Sequence, residues 1–279
     1  MKKVTKSRRV VNIIMLLIFV TGVSVALFPF MSSAVRHYQD QRVVARYQQK
    51  ANKQNKKTAE KILTEQKAKN AELAKEKNNP GLDSYNANLE TSKVKRPQSY
   101  YDKHMLGSLT IPKIKVDLPV FDETNDILLN RGATLLQGTS YPTGGKNTHA
   151  VISAHRGLPH ADMFDELPKL KVGDQFFLKI GKQKLAYQIE STKIIEPTDT
   201  SDLIIQPSRD LVTLMACTPY MINSHRLIYT GKRIPYPKKA DNEIKETIKR
   251  NQWLVVAWIL GTLILLIIGI LVYRFRKKK

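Results

Sequence analysis

Two nearly unbroken apolar stretches, Val10–Phe30 and Trp253–Tyr273, lie near the two ends of the chain. Each is about 21 residues, roughly 32 Å as a helix and enough to cross a bilayer core of about 30 Å. The apolar region of a secretory leader usually runs about 7–15 residues, so the first stretch reads as an uncleaved anchor. Ser32-Ser33-Ala34 would serve as a cleavage site in the alternative reading. Lys2, Lys3, Lys6, Arg8 and Arg9 precede the first stretch, and Arg274, Arg276, Lys277, Lys278 and Lys279 follow the second. Positive flanks stay cytoplasmic, which predicts tails 1–9 and 274–279 inside and 31–252 exported, despite Lys245, Lys249 and Arg250 on the outer side. Trp253 and Tyr273 sit where interfacial aromatic residues are expected.

Between the spans the pattern changes twice. Residues 33–78 are rich in Lys, Gln, Ala, Glu and Asn, with no glycine or proline before Asn78-Asn79-Pro80-Gly81. Such residues favour helix, and the breaker cluster ends it, so 31–81 reads as a basic helical stalk. Its apolar stripe is thin: Val44, Tyr47 and Ala51 share one face, and Ile62 and Leu73 align more loosely. That predicts a solvated spacer rather than a coiled-coil partner surface.

From residue 105 to 236, short runs rich in Val, Ile, Leu, Thr and Tyr alternate with turn residues. The runs are Leu106–Ile111, Ile114–Val120, His149–Ala154, Gln175–Ile180, Leu185–Ile195, Leu211–Cys217 and Leu227–Ile234. This spacing predicts a mainly β, closed or sandwich-like domain with one core. Asp162–Leu170 reads as a turn or two of helix, Gly144-Gly145-Lys146 as a hairpin turn, and 237–252 as a linker.

Composition alters the picture less than its size suggests. Net charge is +22, but the ten terminal cations supply +10, and 12 Lys/Arg against 5 Asp/Glu between Arg36 and Lys77 supply +7. The remaining +5 shows no basic folded surface with interleaved aromatics, so a nucleic-acid partner is not expected. A membrane or anionic wall polymer beside the stalk accounts for the excess. An exported chain with two anchors and one cysteine fits a Gram-positive cell surface.

The chemistry-bearing residues fall at predicted strand ends. Cys217 is the only cysteine, so it is a core filler or a nucleophile. It closes an apolar run, and Arg226 opens the next one. His155 follows the run His149–Ala154. An imidazole near a thiol favours the thiolate, and the imidazolium can then protonate a leaving amine. A fixed guanidinium can hold an oxyanion. Taken singly, each of the three also has a structural reading. His149, His155 and His160 do not make a metal site, since no cysteine or spaced carboxylate completes one. No cofactor is expected.

The segment Thr213-Leu214-Met215-Ala216-Cys217-Thr218-Pro219-Tyr220, with Asn223-Ser224-His225-Arg226-Leu227 and the upstream Ala154-His155-Arg156-Gly157, resembles the sortases. It is most similar to class C, the pilus-assembling sortases of Gram-positive bacteria. Pro119, Gly138-Thr139-Ser140, Phe164, Leu167 and Pro197 fall where class C members carry such residues, and the resemblance covers 82–236. It implies a sortase-type closed β-barrel over 105–236, with short helices, behind a lid-region segment at 82–104. It also implies Cys217 as nucleophile, His155 as general acid/base and Arg226 as oxyanion and substrate stabiliser. The activity implied is cleavage of an LPxTG-like signal between Thr and Gly through a thioacyl intermediate. The acceptor would be a lysine of a pilin subunit, or a peptidoglycan precursor in a housekeeping sortase. A non-catalytic, membrane-tethered scaffold with the same fold is the third reading. His149 and His225 are expected to be dispensable for activity.

Three departures stand out. Ala216 replaces the threonine usual before the cysteine, and Met221 replaces a common glycine. Residues 82–104 offer Asp83-Ser84-Tyr85 and Arg96-Pro97-Gln98 but no Asp-Pro-aromatic plug, so an altered or absent lid is expected.

Overall fold

The computed structural model describes residues 96–158 and 163–278 without a break, segments 41–47, 56–75 and 80–81 upstream, and scattered positions of the first apolar stretch. The chain divides into two compact units. One, residues 39–158 and 162–248, holds the β domain; the other comprises 1–38, 159–161 and 249–279.

Eight strands close into a barrel in the order β1-β2-β3-β4-β7-β8-β6-β5. They are β1 (Met105–Ile111), β2 (Val116–Phe121), β3 (Ala133–Leu135), β4 (Thr148–Ser153), β5 (Gln175–Ile180), β6 (Gln183–Ile195), β7 (Asp210–Thr218) and β8 (His225–Ile234). Closure removes the sheet edges that would otherwise template aggregation. Rows of register partners build the core. Leu118, Leu109, Leu178 and Leu185 run across β2, β1, β5 and β6, and all are buried. Ile152, Leu214 and Tyr229 do the same across β4, β7 and β8. Side chains alternate along a strand. The opposite face of those last three strands therefore carries Val151, Met215 and Ile228, covered by Leu136, Ile195 and Leu203. Burying a side chain such as Leu203 contributes about 1.5–3 kcal/mol, which ties the Ser201–Leu203 turn onto the barrel wall. Gly231 in β8 lets the Phe176–Tyr187 stack close on it, since a Cβ there would lie 2.6 Å from Phe176 Cε1.

The seven predicted strands are present with shifted ends, and an eighth, β3, is only three residues long. Ile114 belongs to a 3-10 turn, Pro112–Ile114, rather than to β2. Between β2 and β3 lies a helical turn, α3 (Asp126–Leu129), whose N-cap Asn125 accepts a 2.9 Å bond from Leu128 N–H. Asp162–Leu170 contributes a 3-10 turn at Leu167–Lys169. Gly144-Gly145-Lys146 is not a hairpin turn: it lies in the long connection from Leu135 to Thr148. Gly144 and Gly145 have φ of +66° and +122°, and Gly145 N–H donates to Asp210 Oδ2 at 2.7 Å.

The stalk expectation needs correction. Helix α1 (Lys56–Leu73) is largely exposed, but Asn70 is buried at 3%. Its Oδ1 accepts from Tyr141 N–H at 2.7 Å, and its Nδ2 donates to Tyr141 O at 2.9 Å and Thr143 Oγ1 at 3.1 Å. Upstream, Val43 and Val44 are buried in a cluster with Met105, Phe121 and Leu128. Tyr47, packed against it, donates to Leu106 O. These segments clamp the barrel and are not solvated spacers along their length. A thin apolar stripe hid this, because one contact is carried by an amide and the other by three residues.

Asp83 and Tyr85 lie outside the described residues. The end of the lid region forms α2 (Gln98–His104), whose Tyr101 packs on Phe121 with ring centroids 6.2 Å apart. Residues 240–278 form α4 (Ala240–Lys278), which contains both the expected linker's end and the second apolar stretch. Ala240 and Ile244 pack with Phe177 and Ala186, so this stretch is helix rather than open linker. Among the described residues no helix is long and apolar enough to cross a membrane. Most of the first stretch lies outside those residues, as do many side chains of the second.

Candidate active site

The ladder between β4 and β7 is parallel and runs from Thr148↔Asp210 to Ser153↔Met215. It continues one step, because Ala154 N–H donates to Met215 O at 3.1 Å. His155 follows two residues past the last pair, just beyond the end of β4, as Cys217 lies two residues past Met215 along β7. On the other side of β7, Cys217 is the direct antiparallel partner of Arg226 on β8. The three residues singled out from the sequence thus fall at one rim of the barrel, Cys217 and Arg226 within β7 and β8 and His155 in the loop just past β4. Cys217 and Arg226 are 7% and 5% exposed, so both side chains are largely desolvated.

Local bonds hold each strand end. Phe164 N–H donates to His155 O at 3.0 Å, and Gly157 N–H donates to Asp165 Oδ1 at 2.6 Å. Gly157 has φ +91°, a left-handed conformation that suits glycine, and a Cβ there would lie 3.4 Å from Tyr220. Arg156 crosses between the two loops. Its Nη1 donates to Thr218 Oγ1 at 3.2 Å, and its guanidinium lies 5.6 Å from the Tyr220 ring centroid. Beyond Cys217 the chain turns through a cis Thr218–Pro219 bond. Ile222 and Asn223 N–H both donate to Pro219 O, at 3.1 and 3.0 Å. Arg226 Nη1 donates to Asn223 O at 3.0 Å and His225 O at 3.1 Å, which orients the guanidinium on this turn.

The turn also shows what the departure at Met221 does. Met221 has φ +64°, in the left-handed region that glycine occupies without steric cost. Tyr220, Met221 and Ile222 are 48%, 72% and 70% exposed and form an apolar lip beside the cysteine.

Burial pushes the His155 imidazole below the usual histidine range. A neutral ring can accept a thiol proton, and a desolvated imidazolium then readily returns it. His149 differs in kind. It is fully buried, with Nδ1 2.8 Å from Ile204 O and Nε2 2.7 Å from Thr213 Oγ1, which lies 3.0 Å from Thr230 Oγ1. It fastens the β6–β7 connection to the barrel wall, so its expected dispensability does not extend to stability. His225 is at the rim, with Nδ1 2.8 Å from Ser224 Oγ and Nε2 3.1 Å from Glu196 Oε1. His160 lies outside the described residues. Among those residues no group of three or more His, Cys, Asp or Glu is arranged to hold a metal ion.

Sequence reasoning quoted Arg156 within a motif but gave it no role. A cation one residue past a candidate histidine, with an aromatic beyond the candidate cysteine, was the available signal. Asp165, which fixes the loop behind His155, carried none.

Residues 109–234 match the Sortase domain family. The chain is 30% identical over 176 residues to sortase D of Bacillus subtilis, covering 61% of this chain and 84% of that protein. Among solved structures it is similar to Streptococcus agalactiae sortase C1, with 38% identity and a TM-score of 0.63, over 72% of this chain and 98% of that one. It is likewise similar to Streptococcus pneumoniae sortase C, a structure reported for catalysis and pilin substrate specificity, with 39% identity and a TM-score of 0.61 over 70% and 98%. The β-barrel, the thiol at the end of β7 and these relatives together place the chain in the sortase family of cysteine transpeptidases.

Proposed function

We propose that this sortase is a membrane-anchored, class C enzyme that polymerises pilin at the cell surface. In this reading Val10–Phe30 and Trp253–Tyr273 are two transmembrane helices, both tails are cytoplasmic and the barrel is extracellular. The positive flanks and the apolar lengths support it.

Cys217 is the nucleophile. His155 takes the thiol proton, and the thiolate attacks the Thr carbonyl of an LPxTG-like signal. Arg226 holds the oxyanion of the tetrahedral adduct, where a planar, permanently charged donor in a desolvated site is most effective. The imidazolium of His155 protonates the departing Gly amine, leaving a thioester on Cys217. A lysine amine of the next pilin then attacks the thioester. His155 takes its surplus proton, and an isopeptide bond forms as the thiolate leaves. The single observation that carries these roles is the ladder register, with Arg226 opposite Cys217 and His155 two residues beyond the last β4–β7 pair, Ser153↔Met215. The similarity to streptococcal C sortases supports pilin as acceptor.

A soluble 39–248 fragment incubated with a sorting-signal peptide and either a pilin lysine domain or a glycine-type amine tests the reading. Covalent ladders with pilin and little product with the glycine amine are expected. Preference for the glycine amine would favour wall anchoring, and no product with either would favour a scaffold.

A further inference from the structure

We infer that the Ser153 hydroxyl is a positioning partner of His155, accepting a hydrogen bond from the imidazolium during turnover. The inference rests on His155 being the general acid/base.

Ser153 is fully buried, and its Oγ has no hydrogen-bond partner among the described residues. Neighbouring buried hydroxyls are engaged. Thr134, its register partner on β3, bonds Thr124; Thr213 bonds His149 and Thr230; Thr218 accepts from Arg156. A native fold rarely leaves a buried hydroxyl unmatched, because the desolvated group is costly without a partner. Ser153 is also well placed. It is the last residue of β4, two residues before His155 in the chain. Its β7 partner is Met215, two residues before Cys217.

His155 has need of such a group. Arg156 and Asp165 lie on its own loop, Cys217 on β7, and Arg226 and His225 on β8. Asp165 is bonded to Gly157 N–H, and His225 pairs with Glu196. Burial is the cause that displaces the His155 ring among the described residues. A neutral oxygen that accepts from one ring nitrogen while the other faces the thiol stabilises the charged form without a second charge. It also fixes the tautomer.

The test uses the full-length protein in detergent, with Ser153→Ala, Ser153→Thr, Ser153→Cys and His155→Ala. Ser153→Ala should lower kcat/KM about tenfold through kcat, with KM nearly unchanged. Ser153→Cys, similar in volume but a weak acceptor, should fall with it, and Ser153→Thr should retain most activity. In a Cys217→Ala background, NMR titration of the His155 ring should move about half a unit to lower pH on Ser153→Ala. His155→Ala separates the two claims: if it stays active, the acid/base reading fails. If it is inactive while Ser153→Ala and Ser153→Cys match the parent, or lose only in KM, the Ser153 inference alone is overturned.

Discussion

Arg226 lies directly across the β7–β8 ladder from Cys217, and its guanidinium is tied at Nη1 to the carbonyls of Asn223 and His225. The strand pairing that builds the barrel therefore also sets the spacing between the proposed nucleophile and the proposed oxyanion donor. Arg226→Lys keeps the charge but loses the planar fork, and should cost about 2–4 kcal/mol of transition-state stabilisation. Peptide-cleavage kinetics check it: the loss should appear in kcat/KM while the melting temperature stays close to the parent's.

Asp117 offers a pH-dependent stability test away from the rim. It is buried beside Thr110, whose hydroxyl donates to it at 2.8 Å, and burial raises its pKa to about 6. The folded state then binds more protons than the unfolded one between about 3.8 and 6. Stability from this group therefore falls as pH rises through that window. Asp117→Asn should stabilise the protein by on the order of 2–3 kcal/mol at pH 7.5 and by little at pH 4. Denaturant unfolding at the two pH values measures this.

His149 carries the opposite sign. Burial lowers its pKa, so the unfolded state binds the extra proton and stability is lost as pH falls below the ordinary histidine value of about 6.5. His149→Ala should destabilise by about 2–4 kcal/mol, since it removes ring volume, leaves the Ile204 carbonyl without this partner and leaves Thr213 with Thr230 alone. His225→Ala, at the half-exposed rim, should leave stability and activity near the parent's. Thermal melts and peptide cleavage on both variants distinguish them.

These two histidines show what could be read from sequence. His155 and Cys217 were legible because each ends an apolar run and sits in a long motif, and seven strands were legible from alternation and punctuation. Strand β3 was not, because three residues between a helical turn and a long connection carry no periodicity. Ile114 reads as the start of β2 because the apolar pattern resumes there, yet it closes the turn Pro112–Ile114. The docking of α1 was hidden because Asn70, a polar residue on a polar helix, makes the contact. The bonds engaging His149 are long-range and invisible to any local pattern.

Asn70 gives the corresponding prediction. Asn70→Ala removes two donated bonds to the Tyr141–Thr143 segment and the acceptor of Tyr141 N–H, which should cost about 1–3 kcal/mol. Hydrogen exchange should rise first in α1 and in 136–147. Unchanged exchange in both segments would mean the helix does not clamp the barrel.

Met221→Gly tests the left-handed turn. A glycine removes the steric cost at φ +64° but brings more unfolded-state freedom, so a gain of up to about 1 kcal/mol is expected. The melting temperature should rise slightly, with any change in activity appearing in KM as the exposed lip shortens.

The measurement that bears most directly on the site is intact-mass analysis of the 39–248 fragment after brief incubation with an LPxTG-type peptide. The account predicts an adduct equal to the peptide through its threonine, placed on Cys217 by digestion, released by a lysine amine, and absent in Cys217→Ala. An adduct that persists in Cys217→Ala, or cleavage of the peptide with no Cys217 acyl species at any time, would contradict it.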